Sequence, residues 1–298
     1  MTRHPARTGA RPTFLGVGAQ KCASTWVHRI LETHPQVCVS DPKELDFFSN
    51  YFDRGFDWYE RFFAGSEDAV AIGETSPSYF YNPAAVERAR LYNPDFRILV
   101  CLRDPVERMY SNHLHEVRKG HVAEDDLSFE RAMARNPMYL HQSLYARHLK
   151  PWMETFGREN VLVLLQEDIT RAPRGEAARV CAFLGVDANF DSEFFERRAN
   201  ENVVYRSPAV GAMYGVIGGA ARAIGMGEAI RWAKRTPGVA SIWTAAKENL
   251  RDRVPPMRPE TVEALRVRLA DEVKELASLL GVHELPWPRW RAVAEKAA

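Results

Sequence analysis

The first residues of this chain whose types and spacing could do chemistry lie in FLGVGAQKCASTWVHRI, Phe14 to Ile30, where an apolar strand-like segment passes through Gly16, Gly18 and Lys21 into a helical pattern opening Ser24-Thr25-Trp26. A strand, a flexible turn and a helix N-terminus together present free backbone N–H groups at the positive end of a helix dipole, which suits a phosphate. Lys21 adds a full positive charge. The N–H groups of Cys22, Ala23, Ser24 and Thr25 would surround one phosphate, with the Ser24 and Thr25 hydroxyls donating to it. A magnesium-dependent triphosphate loop requires G-x-x-x-x-G-K-[ST]. Here Gln20 precedes the lysine and the hydroxyls follow too late, so the segment reads as a phosphate site without a metal.

A second constellation lies in RILVCLRDPVERMYSNHLHEVRKG, Arg97 to Gly120. Arg103 ends an apolar strand-like run, and Ser111 falls on the helix predicted after Pro105. A guanidinium fork and a hydroxyl flanking a strand-to-helix turn can hold a second phosphate. The competing reading pairs Arg103 with Asp104 in a salt bridge and leaves Ser111 on the surface. Two phosphate sites imply a bisphosphorylated ligand.

Positioning these residues takes a scaffold. The short apolar runs TFLGVG, AVAIGE, FRILVCLR and NVLVLLQEDI predict strands, and the first three are each followed by a turn and a helical pattern. That alternation predicts an α/β fold with a central parallel sheet flanked by helices. Helices are expected over Ser24–Thr33, Pro83–Tyr92, Val106–Lys119, Ser143–Phe156 and Arg174–Leu184. Farther on, Arg258–Leu280 predicts an amphipathic helix whose apolar stripe is Val262, Leu265, Leu269, Val273, Leu276 and Leu280. Glu263 with Arg266 and Arg268 with Glu272 are spaced to pair along it.

The 298 residues are 46% hydrophobic, enough for a sizeable core, and we expect one domain over 13–298 behind a disordered lead over 1–12. The Gly-, Ala- and Met-rich stretch within 200–250 is expected to form a lid, acceptor-binding helices or plain helix packing. A formal net charge of +1 gives no global field for nucleic acid or an anionic membrane, so any anion site must be local. Four scattered cysteines show no CxxC spacing and suit reduced thiols. The basic N-terminus is followed by an apolar stretch too short for a signal or membrane span, and the chain reads as cytoplasmic.

QKCASTW and LRDPVERMYSNHLHEVRKG together resemble, in order and context, the two nucleotide-binding segments of the sulfotransferases that use 3′-phosphoadenosine 5′-phosphosulfate. The resemblance runs from about Thr13 to Leu184. It implies that Lys21, Cys22, Ala23, Ser24 and Thr25 hold the 5′-phosphosulfate end, that Arg103 and Ser111 hold the 3′-phosphate, and that Trp26 stacks on adenine. It also implies transfer of a sulfuryl group to a hydroxyl, ahead of an amine, of a carbohydrate, lipid or secondary metabolite. Ala23 stands where many members have glycine, and Thr75 where several glycan-modifying members have lysine; the second departure weighs against a polyanionic glycan.

Sulfuryl transfer needs a base for the acceptor proton and cations for the leaving phosphate. PKELDFF resembles the segment of heparan-type and related bacterial members in which the glutamate is the base, which implies Glu44 in that role and Lys21 as the cation. Lys43 beside it could also reach the sulfuryl group. His113 and His115 are the competing bases. Tyr79, Phe80 and Tyr81 line an acceptor cleft in one reading and fill the core in the other. A nucleotide-binding protein without catalysis, or a small-molecule kinase, are the alternative functions.

Overall fold

The computed structural model describes residues 11–66, 68–123, 126–195, 203–205, 247–287 and 290. They fall into two compact units. The first comprises residues 1–112, 136–199 and 258–298, and the second 113–135 and 200–257. Of the expected lead, residues 1–10 lie outside the described residues, whereas Arg11 donates to the Tyr92 carbonyl at 2.9 Å and Pro12 accepts from Asn93 at 3.1 Å, so the packed chain already includes them. The stretch within 200–250 lies outside the described residues except at its two ends.

The first unit is built on a five-stranded sheet of β1 (Phe14–Gly18), β2 (Val37–Val39), β3 (Ala71–Thr75), β4 (Arg97–Leu102) and β5 (Val161–Leu165), in the order β2-β3-β1-β4-β5. Every pairing is parallel. Buried on both faces, β1 and β4 need continuous apolar runs, which accounts for FLGVG and RILVCL in place of an alternating pattern. The chain leaves β1 toward β2 and β3 on one side and later reaches β4 on the other, so a topological switch point lies beyond the C-terminal end of β1. Ligands of open α/β sheets bind at such points.

Helices Ser24–Glu32, Pro83–Tyr92, Pro105–Arg118, Tyr145–Phe156 and Pro173–Leu184 alternate with the strands, within two residues of the expected limits. Local chemistry sets several starts. Asn82 accepts from the Ala84 N–H at 3.1 Å with Pro83 following it, and Asp104 accepts from the N–H groups of Val106 (2.9 Å) and Glu107 (3.2 Å). Asp104 is therefore a helix cap and not the salt-bridge partner of Arg103.

Helix Pro259–Leu280 buries Leu265, Leu269 and Leu276 of the expected stripe. Glu263 meets Arg266 at 2.6 Å, but Arg268 and Glu272 do not pair: Glu272 accepts from the Arg147 N–H at 3.0 Å instead. A backbone donor on the neighbouring helix Tyr145–Phe156 replaces a solvated ion pair worth only about 0.3–0.5 kcal/mol.

In the second unit, Val203–Tyr205 (β6) pairs antiparallel with Lys247–Asn249 (β7), and Asp126 holds Arg131 and Arg135 at 3.4 and 3.3 Å. No helix among the described residues is long and apolar enough to cross a membrane.

Candidate active site

At the C-terminal end of β1 the chain turns sharply. Gly18 has φ 132°, and a Cβ there would lie 2.9 Å from both the Pro77 carbonyl oxygen and the Phe80 Cβ, so only glycine lets β1 lie against the turn that follows β3. The loop over residues 19–23 then leads into helix Ser24–Glu32. Its N-cap is Ala23, which has no side chain to accept a hydrogen bond. Among the described residues the backbone N–H groups of Cys22 to Thr25 find no protein acceptor. A helix start of this kind leaves its first donors to a ligand.

Lys21 and Ala23 both occupy left-handed backbone, with φ of 68° and 73°. For a residue with a Cβ that conformation costs roughly 1–2 kcal/mol. The departure from glycine at Ala23 therefore falls on a strained position. Ala23→Gly is expected to stabilise the protein by about 1 kcal/mol, because the native φ suits glycine and opposes alanine. Thermal unfolding checks this; a melting temperature unchanged or lowered would show that the loop gains nothing from glycine.

Arg103 comes to the same place from the end of β4. Its Nη1 donates to the Lys21 carbonyl at 3.5 Å, Nη2 lies 3.6 Å from Glu107, and Nε is buried without a partner. Ser111 is buried two turns along helix Pro105–Arg118. The first loop and the guanidinium of the second segment, separate in sequence, thus lie side by side.

The residues behind them escaped sequence reasoning. The fully buried Arg108 donates to Ser143 Oγ (2.6 Å), Gln142 Oε1 (3.0 Å) and the Tyr139 carbonyl, clamping helix Pro105–Arg118 to the segment that follows residue 138. Cys22 Sγ lies 3.6 Å from the Tyr145 hydroxyl, and burial pushes the thiol up to about 11, so it stays neutral near pH 7. A buried arginine and tyrosine carry no sequence pattern separating them from surface residues at the same helical positions.

Trp26 is only 4% exposed, and its indole N–H donates to the Phe194 carbonyl at 2.9 Å. It fastens helix Ser24–Glu32 to the segment ending at Phe195, a packing role beside the adenine stacking expected from the sequence.

Glu44 sits in a loop held by its neighbours. Phe47 and Phe48 are fully buried, with Phe47 stacked on Tyr59 at 4.5 Å between ring centroids. Each buried aromatic contributes roughly 1.5–3 kcal/mol, so the paired aromatics anchor the loop while the Glu44 side chain remains half exposed. Its carboxylate forms an ion pair with the Lys43 ammonium. Asp46, two residues on, accepts from Ser78 Oγ at 2.5 Å, and burial raises its carboxyl above the ordinary range.

The competing bases are otherwise engaged. His113 is fully buried with Nε2 2.9 Å from the Leu127 carbonyl, and His115 Nδ1 lies 2.7 Å from Arg118 Nη2. Tyr79 and Phe80 are core residues, which removes them from the expected cleft lining; Tyr81 is half-buried. Thr75 packs over Gly16, where an added Cβ would lie 2.7 Å from its Oγ1. No group of His, Cys, Asp and Glu side chains suited to a metal ion occurs among the described residues.

Comparison with known proteins bears on this arrangement. Residues 11–206 match the sulfotransferase domain family model. The chain is 31% identical over 182 residues to heparan sulfate glucosamine 3-O-sulfotransferase 6 of Mus musculus, covering 59% of this chain and 52% of that protein. It is 28% identical over 194 residues to the human bifunctional heparan sulfate N-deacetylase/N-sulfotransferase 3, covering 59% of this chain and 22% of that protein. The matches thus span about half or less of these relatives' length. Among solved structures, a sulfotransferase from Alicyclobacillus acidocaldarius superposes with a TM-score of 0.68 and 26% identity over 95% of this chain and 99% of that one.

Proposed function

Because this chain belongs to the sulfotransferase domain family, we propose that it moves a sulfuryl group from 3′-phosphoadenosine 5′-phosphosulfate to a carbohydrate hydroxyl, with Glu44 as the base. The observation that carries the reading is the meeting of the two anion-binding segments: Arg103 reaches the Lys21 carbonyl at 3.5 Å, beside a helix start whose N–H groups are uncapped. In this reading Lys21 and the N–H groups of Cys22 to Thr25 hold the 5′-phosphosulfate, and Arg103 and Ser111 hold the 3′-phosphate. The buried, unpartnered Arg103 Nε favours an anionic ligand there, since a buried guanidinium N–H without an acceptor is costly. The carbohydrate acceptor follows the relatives' named substrates.

Transfer of labelled sulfate from the donor to a desulfated heparan hexasaccharide, alongside monosaccharide, phenol and long-chain alcohol acceptors, tests this directly. Transfer only to non-carbohydrates would move the acceptor class, and no transfer to any of them would favour a binding protein. The donor site has its own test. Adenosine 3′,5′-bisphosphate is expected to bind at least about tenfold tighter than adenosine 5′-phosphate, because a charge-assisted contact is worth about 1.5–3 kcal/mol. Equal affinities in calorimetry would remove the 3′-phosphate site.

A further inference from the structure

The loop that carries Glu44 is bound to a second segment, ETSPS at residues 74–78. Glu74 is the penultimate residue of β3 and is completely buried. Its Oε2 accepts from the Leu45 N–H at 3.3 Å and from Ser76 Oγ at 2.6 Å, while its Oε1 accepts from the Tyr79 hydroxyl at 2.5 Å. Ser76, also buried, receives the Asp46 N–H on its Oγ at 3.0 Å. Two consecutive backbone N–H groups just after Glu44 are therefore tied to one carboxylate–serine pair.

The loop needs such ties. Glu44 and Asp46 both have left-handed backbone, with φ of 66° and 50°, and neither is glycine. Conformations of this kind persist only where the surroundings over-determine them. The buried Phe47 and Phe48 fix the loop on its C-terminal side, but a hydrophobic contact does not set the direction in which the preceding peptide units point. Hydrogen bonds to Leu45 and Asp46 do. The Glu74 carboxylate itself sits in an unfavourable place, since burial pushes it up to about 7. An ordinary core position would be better served by an apolar residue or an amide.

We propose that Glu74, with Ser76, is a positioning residue for the transfer reaction, holding the backbone beyond Glu44 so that the Glu44 carboxylate faces the acceptor hydroxyl. The proposal rests on Glu44 being the base. It explains why a carboxylate stands near the end of β3: with both oxygens as acceptors it takes N–H and O–H donors from two segments at once, whereas an amide in its place would turn a donor toward one of them.

A double-mutant cycle tests it with the hexasaccharide acceptor at pH 8. Glu74→Gln is expected to lower kcat by about 10- to 100-fold, with affinity for adenosine 3′,5′-bisphosphate unchanged and amide hydrogen exchange at Leu45 and Asp46 faster by at least about tenfold. In a Glu44→Gln background the same change should lower kcat less than about threefold, because there is no longer a base to misplace. Ser76→Ala, which leaves Glu74 in place, should speed exchange at Asp46 and lower kcat in the same direction; it is the reading to use if Glu74→Gln does not fold. Equal losses in both backgrounds, or full activity of folded Glu74→Gln, would overturn the positioning role while leaving Glu44 as the base. A Glu44→Gln protein with wild-type turnover would instead remove the base assignment, and this proposal with it.

Discussion

Replacing Glu44 by glutamine is expected to slow sulfuryl transfer by about 10²- to 10⁴-fold at saturating acceptor, the usual size of general-base assistance, with nucleotide affinity unchanged. The amide keeps the side chain's shape and can still accept from Lys43, its ion-pair partner in the wild-type protein. It cannot take the acceptor's proton as the oxygen–sulfur bond forms. The half-exposed Glu44 side chain supports little of the core, which is held on this side by Phe47 and Phe48, so the folded state should be preserved. Steady-state kinetics together with calorimetry of adenosine 3′,5′-bisphosphate separate the two effects. Turnover near the wild-type rate would assign the base elsewhere, and His115, half-buried near the end of helix Pro105–Arg118, would be the next residue to replace.

Lys21→Ala is expected to lower kcat by about 10²- to 10³-fold, the range typical of losing one preorganised group aimed at developing charge. Binding of adenosine 3′,5′-bisphosphate should weaken far less, by about tenfold. The asymmetry arises because negative charge grows on the leaving phosphate only as the sulfuryl group departs, and a cation matched to that charge stabilises the transition state more than the bound nucleotide. Alanine carries the same left-handed backbone penalty as lysine at this φ of 68°, so the variant isolates the ammonium from the strain of the loop. Equal losses in kcat and in nucleotide affinity would make Lys21 a ground-state contact. Activity that depends absolutely on added magnesium at constant ionic strength would turn the site toward phosphoryl transfer.

The parts of this protein legible in its sequence are those governed by local physics. Short apolar runs mark β1, β3, β4 and β5; in β1 and β4 the run is nearly continuous because a strand buried on both faces calls for apolar residues, whereas β3 turns polar at Glu74 and Thr75. Asn82-Pro83 and Asp104-Pro105 mark helix starts because a cap acts within three residues of itself. Both segments proposed to hold phosphate are local too, each a strand end, a turn and a helix start. Of the five strands in the parallel sheet the one missed is β2, which has only three residues, all half-buried, and carries no period long enough to read; the short pair β6 and β7 was not foreseen either.

Side-chain partners are another matter. Which donor reaches which acceptor depends on the order β2-β3-β1-β4-β5, and parallel strands with similar apolar runs do not encode their neighbours. That order brings Arg103 to Lys21 across 82 residues, turns Trp26 onto Phe194 and sends Tyr79 into the core. It also sets Glu74 beneath the Glu44 loop, across 29 residues from Leu45. The sequence by itself determined which residues are candidates for sulfuryl transfer. The tertiary structure decided which of them meet, because hydrogen bonds between segments form only once sheet order has fixed the distances.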